Sequence, residues 1–231
     1  VGVRIRARAM IPLRDTIPSR SFPLVSVTLI VVNTVIFLFE VSLGRELNSF
    51  IERHALVPAN LASMFEEGTN PIRAVVPVFS SMFLHAGWIH LIGNMLYLWV
   101  FGDNVEDKMG RMRFLFFYLI CGAGAAALHV FLSPTSGTPT VGASGAIAGV
   151  LGAYFLLFPR SRVLTLFPIF FFIQFVEVPA FFFLGFWFLM QFFGGTFSIG
   201  IEPSGGGVAW WAHVGGFVTG MLLVFPLRKY R

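Results

Sequence analysis

The chain of 231 residues is 56% hydrophobic and 12% charged, against roughly 25% charged for an ordinary soluble domain. That excludes a soluble globule and points to a polytopic membrane protein. The formal charge of +5 does not imply a nucleic-acid partner, because the basic residues sit in short clusters between apolar runs, where they report orientation in a bilayer.

Residues 1–21 read as a basic, poorly structured cytoplasmic tail carrying Arg4, Arg6, Arg8, Arg14 and Arg20, with Met10 as an alternative start. The next apolar run resembles a secretory signal only loosely: it reaches Leu43 interrupted only by Glu40, and no small-residue cleavage site stands out, so it is a retained first span. Span 1 covers Phe22–Leu43, and Gly44–Pro77 is a long polar loop with amphipathic character. Span 2 covers Val78–Phe101, a charged loop Gly102–Arg113 follows, and span 3 covers Phe114–Leu132 with Cys121, the single cysteine, inside it. A lone cysteine allows no internal disulfide and suggests no cysteine metal site.

Ser133–Thr140 is rich in Pro, Gly, Ser and Thr and reads as loop. Span 4, Gly142–Phe158, is apolar and long enough to cross when counted from Gly142. Val163–Phe193 is apolar but too long for one simple crossing, with Pro168 and Pro179 inside; Gly194–Gly207 is loop; span 6 is Val208–Leu227, and residues 228–231 form a basic cytoplasmic tail. With six crossings, thirteen of the 16 basic residues fall on the side of the termini, leaving Arg45, Arg53 and Arg73 opposite. The positive-inside rule then puts both termini in the cytoplasm and makes 163–193 one crossing preceded by an interfacial segment. The expected class is an all-α polytopic membrane protein with six transmembrane helices in one domain, 22–227.

Strongly polar groups in a bilayer cost a few kcal/mol each, roughly, and are functional candidates by default. Here they are His85, His90 and Asn94 in span 2, Ser144 at the head of span 4 and His213 in span 6. Taken singly, each is more often glue between helices, and a serine at a helix start is an ordinary N-cap. His90 and Asn94 are i,i+4 and face the same volume. His213, Gly216 and Gly220 share a stripe, and Gly145, Gly149 and Gly152 give span 4 a matching small-residue surface. Two such helices pack closely, and with six crossings both start at the outer face, so the contact carries His213 toward Ser144. A serine beside a neutral histidine is an activated nucleophile with its general base. Asn94, His90 and the Ser144 amide at a helix start are candidates for stabilising the oxyanion.

No acidic residue has an obvious place behind His213, so the reading is a dyad; Glu177 falls on the inner side and Glu202 in a loop. The hydrolase elbow Gly-x-Ser-x-Gly fails because position 146 is Ala. Zinc on His85, His90 and His213 lacks His-Glu-x-x-His spacing and carboxylate ligands. No internal repeat supports a transporter. No metal and no cofactor is expected.

From about Met10 onward the chain resembles the rhomboid family of intramembrane serine proteases. The resemblance rests on Gly142-Ala143-Ser144-Gly145, His85, His90-x-x-x-Asn94, Glu106-x-x-x-Gly110 and Ala212-His213-x-Gly215-Gly216, in that order on those spans. It implies that Ser144 is the nucleophile and His213 the general base, with His90, Asn94 and the Ser144 amide as oxyanion donors and His85 structural. His54 and His129 match nothing and read as surface or interfacial residues. Where many members have an aromatic residue stacking on the histidine this chain has Ala148, leaving the imidazole either oriented by Trp210 or Trp211 or held more loosely. Where many have a Trp-Arg pair before span 2 it has Val76-Pro77. The implied activity is cleavage of transmembrane segments of other membrane proteins, with lateral access past span 5, in a prokaryotic inner membrane. The alternative is a non-catalytic relative that binds transmembrane helices, for which loss of Ser or His would be the expected sign.

Overall fold

In the structure, a computed structural model describing residues 10–66, 71–169, 172–198 and 207–229, the long apolar runs become helices. The elements are β1 (Ile11–Asp15), α1 (Leu24–Ser42), α2 (Leu47–His54), α3 (Pro58–Glu66), α4 (Pro71–Ser80), α5 (Trp88–Met109), α6 (Arg111–Leu132), α7 (Ser144–Leu157), β2 (Arg162–Ile169), β3 (Phe172–Pro179), α8 (Ala180–Phe197) and α9 (Trp210–Leu227). The molecule is mainly helical. Helices α1, α6, α8 and α9 are long and apolar enough to cross a bilayer, and α5 joins them if paired with Val75–Phe83 across a 90° bend.

Helix α7 is the exception. Its 14 residues span about 21 Å at 1.5 Å per residue, less than the roughly 30 Å of a hydrocarbon core. It begins at Ser144, two residues later than the expected span. A short helix is tolerated there because Gly145 to Tyr154 are all buried in protein. The expected glycine pairing accounts for much of that burial. A Cβ on Gly216 would lie 1.9 Å from the Gly145 carbonyl oxygen, one on Gly220 2.0 Å from that of Gly149, and one on Gly152 2.1 Å from that of Phe217. The backbones of α7 and α9 therefore touch, which only residues without side chains permit.

Span 2 does not start at Val78. Pro77 lies inside α4, a 3-10 turn follows at Ser81–Phe83, and Leu84 is extended, so α5 restarts only at Trp88. The charged stretch 102–113 is not a loop either: α5 runs to Met109 and α6 begins at Arg111, with Gly110 alone forming the corner at φ +81°. Its charges serve helix ends. The buried Glu106 carboxylate accepts the Val25 and Ser26 amides at 3.0 and 2.8 Å and the Ser26 hydroxyl at 2.9 Å, pairing the first amides of α1, which have no partner of their own.

The small sheet was not foreseen. Residues 11–15, expected in an unstructured tail, pair antiparallel with β2, Ile11 opposite Leu166, and β2 pairs antiparallel with β3 in the order β1-β2-β3. The run from 163 to 193 thus holds a hairpin and then one crossing-length helix. Asp15 anchors β1, accepting from Asn104 Nδ2 at 2.8 Å and from the Tyr154 hydroxyl. Burial pushes its carboxyl above the ordinary aspartate value, outweighing the hydrogen bonds from the Tyr154 hydroxyl and nearby backbone amides. At the same end, Asp107 accepts the Arg20 amide and the Ser21 hydroxyl, and the Lys229 amide donates to the Lys108 carbonyl at 2.8 Å. Basic clusters far apart in sequence so gather at one pole. The loop expected from Gly194 is helix through Phe197; Glu202, like Arg4, Arg6 and Arg8, lies outside the described residues.

Candidate active site

The site lies at the other pole, where α7 and α9 both begin. Gly142, at φ +126°, and Ala143, the N-cap, turn the chain into α7 so that Ser144 is its first residue. His213 stands in the first turn of α9. The glycine contacts set the two helices close enough for the Ser144 hydroxyl to donate to His213 Nε2 at 2.8 Å. As the opening residue of α7, Ser144 also presents a backbone N–H with no acceptor inside its helix.

Helix α5 brings the other two expected residues to the same place. The Ala86 amide donates to His90 Nδ1 at 3.4 Å, so Nε2 is the nitrogen that carries hydrogen. That nitrogen lies 2.8 Å from where a Gly142 Cβ would stand, and the Ser144 hydroxyl 3.6 Å from the same point. A side chain at 142 would collide with the imidazole. Asn94 is only 7% exposed, yet its Nδ2 has no hydrogen-bond partner among the described residues. Ser144, His213, His90 and Asn94 line one cavity of about 1210 Å³, which extends under the 133–140 loop. A buried amide donor left open in the cavity that also holds a hydroxyl–imidazole pair suits a negative charge developing there.

His85 does not line that cavity: its backbone amide donates to the buried Glu40 carboxylate at 3.2 Å, and its ring packs edge-on against Phe37 and His90. His54 is half-buried, its Nδ1–H donating to the Phe50 carbonyl at 2.8 Å. His129 is not a surface residue. It is 9% exposed, with Nε2 3.1 Å from the Thr140 hydroxyl, because the 133–140 loop folds back over the end of α6.

The aromatic support of His213 is neither Trp210 nor Trp211. Those indoles seat against Gly194 and Gly195 of α8, so glycine contacts as well as bulky packing hold that helix. Trp187 of α8 faces the imidazole instead, ring centroids 5.8 Å apart and planes 37° from parallel. One turn on, Gln191 Oε1 lies 2.7 Å from His213 Nδ1. Neither residue was picked out from sequence, although the signal was present: Gln191 is a polar side chain within an otherwise apolar, Phe-rich helix.

A family model described as "Rhomboid domain" matches residues 73–230. RHOMBOID-like protein 6, mitochondrial, of Arabidopsis thaliana is 34% identical over 150 residues, covering 65% of this chain and 43% of that protein. Rhomboid protein 1, mitochondrial, of Saccharomyces cerevisiae is 28% identical over 163 residues, covering 68% and 43%. Rhomboid protease GluP of Bacillus subtilis is 44% identical over 84 residues, covering 36% and 16%. The chain spans less than half the length of these curated relatives. It belongs to the rhomboid family, and it is an integral membrane protein.

Proposed function

We propose that the chain is an intramembrane serine endopeptidase that cleaves transmembrane segments of other membrane proteins. The observation that carries this is the 2.8 Å hydrogen bond from the Ser144 hydroxyl to His213 Nε2 inside a cavity edged by an unpartnered amide donor. The family supports it, since one relative is named a rhomboid protease. As Ser144 Oγ attacks a substrate carbonyl, His213 Nε2 takes the hydroxyl proton. The oxyanion draws hydrogen bonds from His90 Nε2–H, Asn94 Nδ2–H and the Ser144 amide. The imidazolium then protonates the leaving amine, and a water attacks the acyl-serine with His213 again accepting the proton, which frees the second product.

The gathering of Arg20, Lys108 and Lys229 at the pole opposite Ser144 supports cytoplasmic termini and a site opening to the extracytoplasmic face. Six crossings require α7 to count as one although it is short, and residues 22–227 are then the catalytic domain. The relatives are mitochondrial by name and bacterial alike, so the expected prokaryotic inner membrane is narrower than they support.

The test is cleavage of a generic transmembrane substrate by purified protein in detergent. Ser144→Ala and His213→Ala, each folded as judged by circular dichroism, lose cleavage entirely. Residual wild-type cleavage in either overturns the assignment, and an inactive wild type that still captures transmembrane helices favours the non-catalytic alternative.

A further inference from the structure

Among the buried polar groups with no part in the mechanism above, Gln191, 5% exposed on α8, is the one in contact with His213. Its amide orientation follows from two contacts. Gln191 Nε2 donates to the Trp187 carbonyl one turn earlier, at 3.3 Å, so Oε1 is the atom turned toward α9, 2.7 Å from His213 Nδ1. A carbonyl oxygen only accepts, so Nδ1 carries the hydrogen. Nε2 then has a free lone pair, which the Ser144 hydroxyl donates into at 2.8 Å. The histidine tautomer is thereby set by the partner of its other nitrogen.

From this geometry we infer that Gln191 is the positioning residue of His213, standing where a carboxylate stands in a Ser-His-Asp triad, with the Trp187 indole 5.8 Å away limiting ring rotation. The inference rests on the proteolytic reading above for its consequence but not for its geometry. An amide holds the imidazole in its basic form as a carboxylate would, without the cost of an anion among apolar side chains. What it gives up is charge pairing with the imidazolium. The electrostatic neighbours of His213 are the imidazoles of His90 and His129, and neither supplies a compensating negative charge.

Gln191→Leu, close in volume and unable to accept, lowers kcat on the order of 10- to 100-fold, a fraction of what general-base catalysis contributes, and leaves KM and the unfolding midpoint little changed. Gln191→Glu restores acceptance and adds a charge that favours the imidazolium, so the acidic limb of kcat/KM moves to higher pH by about one unit. A purely structural side chain would not move that limb. In selectively ¹⁵N-labelled protein, His213 shows hydrogen on Nδ1 in the wild type and a tautomer mixture in Gln191→Leu. Hydrogen on Nε2 in the wild type, or kcat and pH limb unchanged in both variants while Ser144→Ala abolishes cleavage, overturns the inference and leaves the protease intact. Cleavage that survives Ser144→Ala sinks the protease, while the ¹⁵N spectrum still decides the role of Gln191.

Discussion

Asn94 has a buried Nδ2 with no acceptor within the described residues, a deficit that native proteins rarely keep without a use. If the use is an oxyanion, Asn94→Ala removes an interaction made mainly in the transition state. Cleavage assays then show kcat reduced by roughly 10²-fold, near the lower end for loss of one such donor, with KM nearly unchanged; an unaltered kcat would remove Asn94 from the role. Ser144, His90, Asn94 and His213 were legible because each is polar in an apolar run, and the i,i+4 and glycine spacings told which faces they share. Gln191 has the same credential but sits within a Phe-rich run, and its partner is 22 residues away on another helix. No local spacing encodes that meeting. Trp187 was hidden for the same reason: a tryptophan in such a run reads as bulk.

At the scale of the helix pair, α7 and α9 meet through backbone. Gly216→Ala would put a Cβ 1.9 Å from the Gly145 carbonyl oxygen, and neither atom is the end of a side chain that can swing away. Separating the helices enough to admit the methyl costs about 1–3 kcal/mol, as for other overpacked interiors. It also lengthens the Ser144–His213 hydrogen bond. Denaturant unfolding in micelles measures the first effect and the cleavage rate the second. Gly137→Ala, with nothing within 4 Å of its Cβ, is the control that changes neither, and equal stability of the two variants would refute the contact. This interface was readable as a small-xxx-small pattern on both helices. The β2–β3 hairpin was not: Phe, Ile and Pro168 fill 167–173 without the alternation of a half-buried strand. Nor was the bend before α5, where the stretch from Val78 gives no local sign that Leu84 is extended.

Across the whole molecule, the two poles divide the work. One holds the site; the other binds β1, the α5–α6 corner and the C-terminal end of α9 together. Asp15 belongs to that second pole, and burial raises its carboxyl above the ordinary aspartate value. A raised carboxyl contributes stability that is fully present below its unfolded-state pKa and is lost as pH rises through the folded value. Asp15→Asn keeps an oxygen for the Tyr154 hydroxyl and cannot ionise. The unfolding midpoint of the variant relative to wild type therefore climbs as pH rises above the ordinary aspartate value, about 4; a difference independent of pH would show that burial does not raise the carboxyl. The charge distribution anticipated this pole, whereas the strand that ties it together was invisible because Pro12 and Arg14 make β1 read as tail.

Helix α8 turns Phe182, Phe186 and Phe193 to the outside and Trp187 and Gln191 to the imidazole. The same helix presents phenylalanines to acyl chains on one side and braces the His213 imidazole on the other. Bilayer thickness and tension are mechanically in series with the Ser144–His213 pair, and whatever leans on that helix from the hydrocarbon leans on the imidazole.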